Sequence, residues 1–183
     1  MGQKYDKLSD KQISFIQKQK MFFVGTAYTD GKVNVSPKGL DSLKVVNHKK
    51  IIWLNLTGSG NESAAHVLRV ARMTLMFASF EGPPMILRVY GKAKVFHNYD
   101  KQWQQLYSYF DDYIGARQIF ELEIEMVQTS CGMAVPLYEY VQDRDQLINS
   151  FKRKGKKGTE KYWKEKNQLS LDGKNTHINK PIS

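Results

Sequence analysis

The chain has 183 residues, 41% of them apolar and 12% aromatic, one cysteine and a formal charge of +10. That length suits one domain with a modest appendage. A single cysteine excludes an internal disulfide and a cysteine-cluster metal site, and no apolar run approaches the roughly 20 residues a membrane helix needs. The polar start, Met1 to Asp10, carries no signal-type stretch, so a cytoplasmic location and no membrane partner are expected.

Residues 9–20 predict a short amphipathic helix capped by Ser9 or Asp10, with Ile13, Ile16 and Phe15 inward. Met21–Thr29 and Lys32–Ser36 read as strands around Asp30-Gly31, a dipeptide that suits a tight two-residue hairpin turn. Leu43–Val46 and Ile51–Leu56 form a second pair. Residues 58–69 lead through two glycines into a helix with Ala64, Ala65 and Leu68 inward.

Met73–Phe80 and Met85–Phe96 are strands, the latter with a bend or bulge at Gly91. Tyr99–Phe110 predicts a helix with an aromatic face. Ile119–Val127 alternates apolar and acidic residues with period two, the pattern of a strand with one wet face. After Cys131 the strand character ends; Gln142–Lys152 and Thr159–Asn167 read as helices.

About six hairpin-linked strands with helices between and after them predict a mainly β fold, an antiparallel barrel with peripheral α-helices. The organisation expected is a barrel domain over 1–140 and a basic helical extension over 141–183 packed on it. Residues 150–183 hold ten Lys/Arg against three acids, +7 of the +10. Such a segment attracts polyanions, but a solvated helix face explains it as well, so nucleic acid is not expected as the main partner.

The four histidines show no ligand spacing and Cys131 reads as a small packed residue, so neither a metal site nor a catalytic residue is nominated. Two segments carry more chemistry. In Ser36-Pro37-Lys38-Gly39, a hydroxyl, a fixed bend, a cation and a permissive glycine suit a phosphate, or form a turn with a solvated lysine. In the second, Asn55-Leu56-Thr57 runs through Gly58-Ser59-Gly60 to Asn61-Glu62-Ser63. This is a strand leading into a helix start, whose free N–H groups favour phosphate, or whose Asn61 or Ser59 merely caps the helix.

Together these segments, with FFVGTAYTDGKVNVSPKG, IIWLNL, MTLMFASFEGPP, ILRVYGKAKVF, Gln128 to Gly132 and the late KNQLSLDG, resemble the pyridoxamine 5′-phosphate oxidase-like family of split barrels that bind flavin mononucleotide (FMN). The resemblance spans nearly the whole chain to about Gly173. It implies a homodimer with FMN at the interface, Ser36 to Gly39 along the flavin, Asn55 to Thr57 approaching from the next strand, and Asn61, Glu62 and Ser63 at its phosphate. The better-known oxidases carry basic residues where this chain has Glu62 and Ser63. Arg88 would compensate if it lies at the cofactor edge, or else forms a structural ion pair.

The residues with which those oxidases hold pyridoxamine phosphate near the C-terminus have no counterpart here. The function implied is therefore a flavin-dependent oxidoreductase acting on some other small molecule. Its alternative is a split barrel that binds flavin or haem for storage or sensing without turnover.

Overall fold

The computed structural model describes residues 2–179; the last four residues of the basic extension, Lys180 among them, lie outside that range. Eight strands form one antiparallel sheet: β1 (Lys4–Tyr5), β2 (Phe22–Thr26), β3 (Asn34–Lys38), β4 (Leu43–Asn47), β5 (Lys50–Leu56), β6 (Arg72–Ala78), β7 (Ile86–His97) and β8 (Ala116–Ser130). Their order is β3-β2-β6-β7-β8-β5-β4, with β1 paired to β8. The end strands β3 and β4 are consecutive in the chain, joined by residues 39–42, in which Leu40 and Asp41 take positive φ (62° and 51°). The sheet curls until its ends face each other without pairing, an antiparallel split barrel of the kind expected.

The interior is filled by side chains that alternate inward from each strand. Phe22, Val24, Trp53, Leu75, Phe77, Leu87, Val89, Phe120 and Leu122 are all buried there, and Trp53 stacks on Phe120 with ring centroids 4.7 Å apart. The opposite faces of β5 and β8 are covered too. Ile52, Leu54 and Ile119 pack against Trp103 of a one-turn helix, α3 (Trp103–Tyr107). Both strands are therefore buried on two sides at this end, which explains why Ile51–Leu54 is a continuous apolar run and why Ala116–Phe120 is buried throughout, Arg117 and Gln118 included. Only the later part of β8 has the expected wet face, with Glu123 and Glu125 exposed.

Helix α1 (Asp10–Lys18) starts with a capping box between Ser9 and Gln12, and α2 (Glu62–Arg69) buries Ser63 to Val67 between β5 and β6. At Gly91 the β7–β8 register shifts, and a Cβ there would collide with the Glu123 carbonyl.

Several expectations are corrected. Asp30-Gly31 does not close a two-residue turn. Thr26 pairs with Asn34, so residues 27–33 form a wide loop, with only Gly31 among them at positive φ. Asp172 holds that loop from outside by accepting from the Lys32 main-chain N–H at 2.8 Å, and this distant contact overrides the local turn preference. Leu68 is 46% exposed, because Ala64, Ala65 and Val67 take the inward face of α2. The 99–110 helix shrinks to α3. The two C-terminal helices are present as expected within Gln146–Lys166, named α4 together and separated by a non-helical kink at Gly155 (φ 62°, ψ −178°), but the first starts at Gln146 rather than Gln142. Cys131 is exposed rather than packed, since β8 has already left the core there.

Helix α4 lies on the barrel through buried Phe151, Thr159 and Trp163, while Lys152, Arg153, Lys154, Lys156 and Lys157 face solvent. No helix among the described residues is long and apolar enough to cross a membrane.

Candidate functional site

The pleat of β3 sorts its residues. Asn34, Ser36 and Lys38 point to one side, and Val35 and Pro37 to the other, exposed side. The side bearing Lys38 faces the end of β5 and the start of α2. Between these three elements lies a cavity of about 280 Å³, lined by Asn34, Ser36 and Lys38, by Trp53, Asn55 and Leu56, by Gly58 to Ser63, and by Arg117 of β8.

The cavity gathers Ser36, Lys38, Asn55, Leu56, Asn61, Glu62 and Ser63 of the residues nominated from sequence. The others lie elsewhere. Pro37 is on the outer face of β3, and Gly39 lines a different cavity on the far side of the β3–β4 link. Thr57 is fully buried beneath the site; its hydroxyl donates to the Gly115 carbonyl and accepts from Trp163 Nε1, both at 2.8 Å. Arg88, near the start of β7, donates to Ser130 Oγ at 3.0 Å and does not line the cavity.

The cation that does reach it is Arg117, which sequence reasoning missed. It is 3% exposed, with Nη1 donating to the Gly58 carbonyl at 3.3 Å and a buried Nε that has no partner. The sequence signal was weak, since Arg117 and Gln118 stand together just before Ile119; only a strand recognised as buried on both faces marks a charge there as one that something must offset. Asn34 was missed too, though its spacing from Ser36 and Lys38 is the period of a strand.

Two cations therefore sit in one small space. Burial, first, and then the nearby Arg117 pull the Lys38 ammonium down to about 8, against an opposing pull from Glu62. Burial likewise pulls Arg117 down to about 10, resisted by Glu62 and Tyr162. Lys38 Nζ lies 5.3 Å from the centre of the Trp53 ring, a contact that favours the charged form. The Glu62 carboxylate folds back beside Gly60 and accepts from the Leu171 N–H at 3.3 Å. It therefore offsets the cations without forming an ion pair with either among the described residues.

Buried polar atoms without partners concentrate here: Trp53 Nε1, Asn55 Oδ1, Asn61 Oδ1 and Arg117 Nε. In folded proteins such groups are normally paired; their residues line the cavity, and the two cations beside it suit a polar, anionic occupant. The cavity beyond the β3–β4 link is larger, about 360 Å³. Its Lys44 is already paired with Asp41, its Lys20 lies over the Tyr140 ring, and it holds no unpartnered buried polar atom among the described residues.

The floor of the site is fixed from far along the chain. Asn167 donates to the Gly58 and Ser59 carbonyls at 3.1 and 3.2 Å and receives the Asn61 amide at 3.0 Å. The end of α4 thereby holds residues 58–61 in place, leaving the N–H groups at the start of α2 free to face the cavity.

Known proteins agree with this architecture. A family model described as pyridoxamine 5′-phosphate oxidase matches residues 8–131. The pyridoxamine 5′-phosphate oxidase family protein ustO of Aspergillus flavus is 35% identical over 144 residues, 76% of this chain and 58% of that protein's length. The chain thus accounts for less than two thirds of that curated relative. Among solved structures, a Lactobacillus delbrueckii protein provisionally named a pyridoxamine 5′-phosphate oxidase aligns with a TM-score of 0.54 at 22% identity, over 67% of this chain and 94% of its own. HupZ of Group A Streptococcus aligns with a TM-score of 0.54 at 14% identity, over 67% of this chain and 98% of its own. The structural neighbours speak to the fold, and the sequence matches settle the membership: this chain belongs to the pyridoxamine 5′-phosphate oxidase family.

Proposed function

We propose that the chain is an FMN-binding oxidoreductase of the cytoplasm that works as a homodimer on a small molecule. The observation that carries this reading is one cavity that joins Lys38 and Arg117 to the glycine turn at the start of α2. Phosphate suits that site, because two cations, the Ser36 hydroxyl and free helix N–H groups all favour a doubly charged oxyanion. Bound there, a flavin supplies the electron transfer, and the protein supplies position and electrostatics.

Size supports the dimer. At about 280 Å³ the cavity is near the lower end of small-molecule sites, roughly 300–1,000 Å³. It suits the phosphate end of FMN and leaves the ring to a second wall. Val33 and Val35 on the edge strand side are 70% and 66% exposed, an apolar surface that a second copy would cover.

The test is a visible spectrum of the purified protein after addition of FMN and removal of the excess, with sedimentation velocity on the same sample. Flavin bands that stay with a dimeric protein, and weaken in Ser36→Ala and Lys38→Ala, are expected. Reduction of the bound flavin by a nicotinamide or deazaflavin donor would then separate an oxidoreductase from a storage protein. A protein that stays colourless in excess FMN overturns the reading.

A further inference from the structure

Behind the cavity wall, β2 and α2 share a buried chain of polar groups that ends at Ser63. Thr26, Ser63 and His66 are 4%, 6% and 1% exposed. Thr26 Oγ1 lies 3.1 Å from His66 Nδ1 and 3.2 Å from Ser63 Oγ, and the Asn34 amide donates to the same serine oxygen at 3.2 Å. His66 Nε2 is buried with no partner.

With the Thr26 hydroxyl hydrogen placed on one of its two side-chain partners, counting protons leaves two arrangements. If the Thr26 hydroxyl donates to His66, Nδ1 is bare and the neutral imidazole carries its proton on Nε2. That N–H would be buried without an acceptor, and Ser63 would spend its own proton on Thr26. If instead Nδ1–H donates to Thr26, the Thr26 hydroxyl donates to Ser63 and Nε2 is left as a bare acceptor. Orphaned buried N–H groups are rarer than under-satisfied acceptors, which favours the second arrangement. In the second arrangement Ser63 Oγ accepts twice, from Thr26 and Asn34, and its one hydrogen has no partner among the described residues. Ser63 lines the cavity.

We propose that His66 and Thr26 are positioning residues that donate in series, Nδ1–H to Thr26 and Thr26 O–H to Ser63, and so hold the Ser63 hydroxyl as a donor to a phosphate monoester in the cavity. This rests on the phosphate reading of the site. Burial is the main influence on His66 and keeps it below the usual imidazole range. The ring is therefore neutral at pH 7, with one proton to place.

Nitrogen-15 NMR of histidine-labelled protein reads the tautomer directly, and the Nδ1–H form is expected without any ligand. Titrations with FMN, riboflavin and inorganic phosphate then read the consequence. Thr26→Val should weaken FMN and phosphate by about tenfold, the usual effect of a lost hydrogen bond to a charged group, and leave riboflavin unchanged. Thr26→Ser should restore both. His66→Asn, which keeps an N–H near the Nδ1 position, should weaken them less than His66→Ala. The Nε2–H tautomer, or Thr26→Val with unchanged FMN and phosphate affinity, overturns the proposal. If Thr26→Val fails to fold, the wild-type tautomer and its response to phosphate decide. A wild type that ignores FMN but whose Ser63 and His66 signals move with phosphate defeats the flavin reading and keeps the relay. One in which neither ligand moves them defeats the relay as well.

Discussion

Two regions of this chain bury side chains equally deeply and for different reasons. In the barrel interior, Trp53 and Phe120 stack, Phe22 meets the Trp53 edge, and Leu87, Val89 and Leu122 close the space around them. Apart from the indole nitrogen, every group there is satisfied by contact alone. A few ångströms away the same Trp53 turns its edge to a cavity where Arg117 is as buried as a leucine, with an unpartnered Nε. One region is organised by what it excludes, and the other keeps charge and unpaired polar atoms at a cost of several kcal/mol before relaxation. The contrast teaches where selection for stability stops, and substitutions on either side of Trp53 should separate the two.

The largest effect belongs to the interior. Phe120→Ala removes a ring that is 1% exposed and stacked on Trp53 in the barrel interior, and should cost about 3–5 kcal/mol in chemical unfolding. Arg117→Met should do the reverse. It replaces an incompletely paired buried charge with an apolar chain of similar length, so stability should hold or rise by about 1 kcal/mol, while FMN affinity falls at least tenfold. If Arg117→Met unfolds the protein as Phe120→Ala does, the arginine is a structural strut and the contrast collapses.

How much of this contrast was legible in the sequence follows from the reach of each interaction. Period-two alternation in β8, the apolar run of β5 and the glycine turn before α2 are local, and the elements they predict are present. The Asp30-Gly31 turn was misread because its geometry is imposed by Asp172, some 140 positions later. Arg117 escaped notice because the strand was read as starting at Ile119, leaving the arginine in a loop. Counting Ala116 to Phe120 as a doubly buried strand would have exposed the anomaly. The clamp from Trp163 and Asn167 onto residues 57–61 spans more than a hundred positions and leaves no local trace.

Protons give a subtler way to split the regions. Lys38 has its ammonium pulled from 10.5 to about 8 in the folded chain. Between those values the unfolded chain binds more protons, so stability of the ligand-free protein should rise with pH from about 8 to 10.5. Below about 8 the full cost of the buried charge is present. Anion affinity should move the other way, weakening as Lys38 loses its charge above about pH 8. Thermal melts and phosphate titrations across pH 7–10.5 check both signs. In Arg117→Met the midpoint should shift upward, because the repulsion from the guanidinium is gone.

The smallest effect tests whether the C-terminal helix belongs to the site or merely rests on it. Trp163→Phe keeps most of the packing on the barrel but removes the Nε1–H donor to Thr57 Oγ1. The Thr57 hydroxyl still donates to the Gly115 carbonyl, so only an acceptor lone pair loses its partner, and stability should fall by about 1 kcal/mol. A rigid barrel with an independent helix would show that loss and nothing else. Since Asn167, four residues on, holds the Gly58 and Ser59 carbonyls, loosening this end of α4 should also free the turn that presents the α2 N–H groups. FMN affinity should then drop by severalfold, with the larger part of the change in the dissociation rate. Unchanged dissociation in Trp163→Phe, beside the expected stability loss, would place α4 with the scaffold and leave the cavity to the barrel alone.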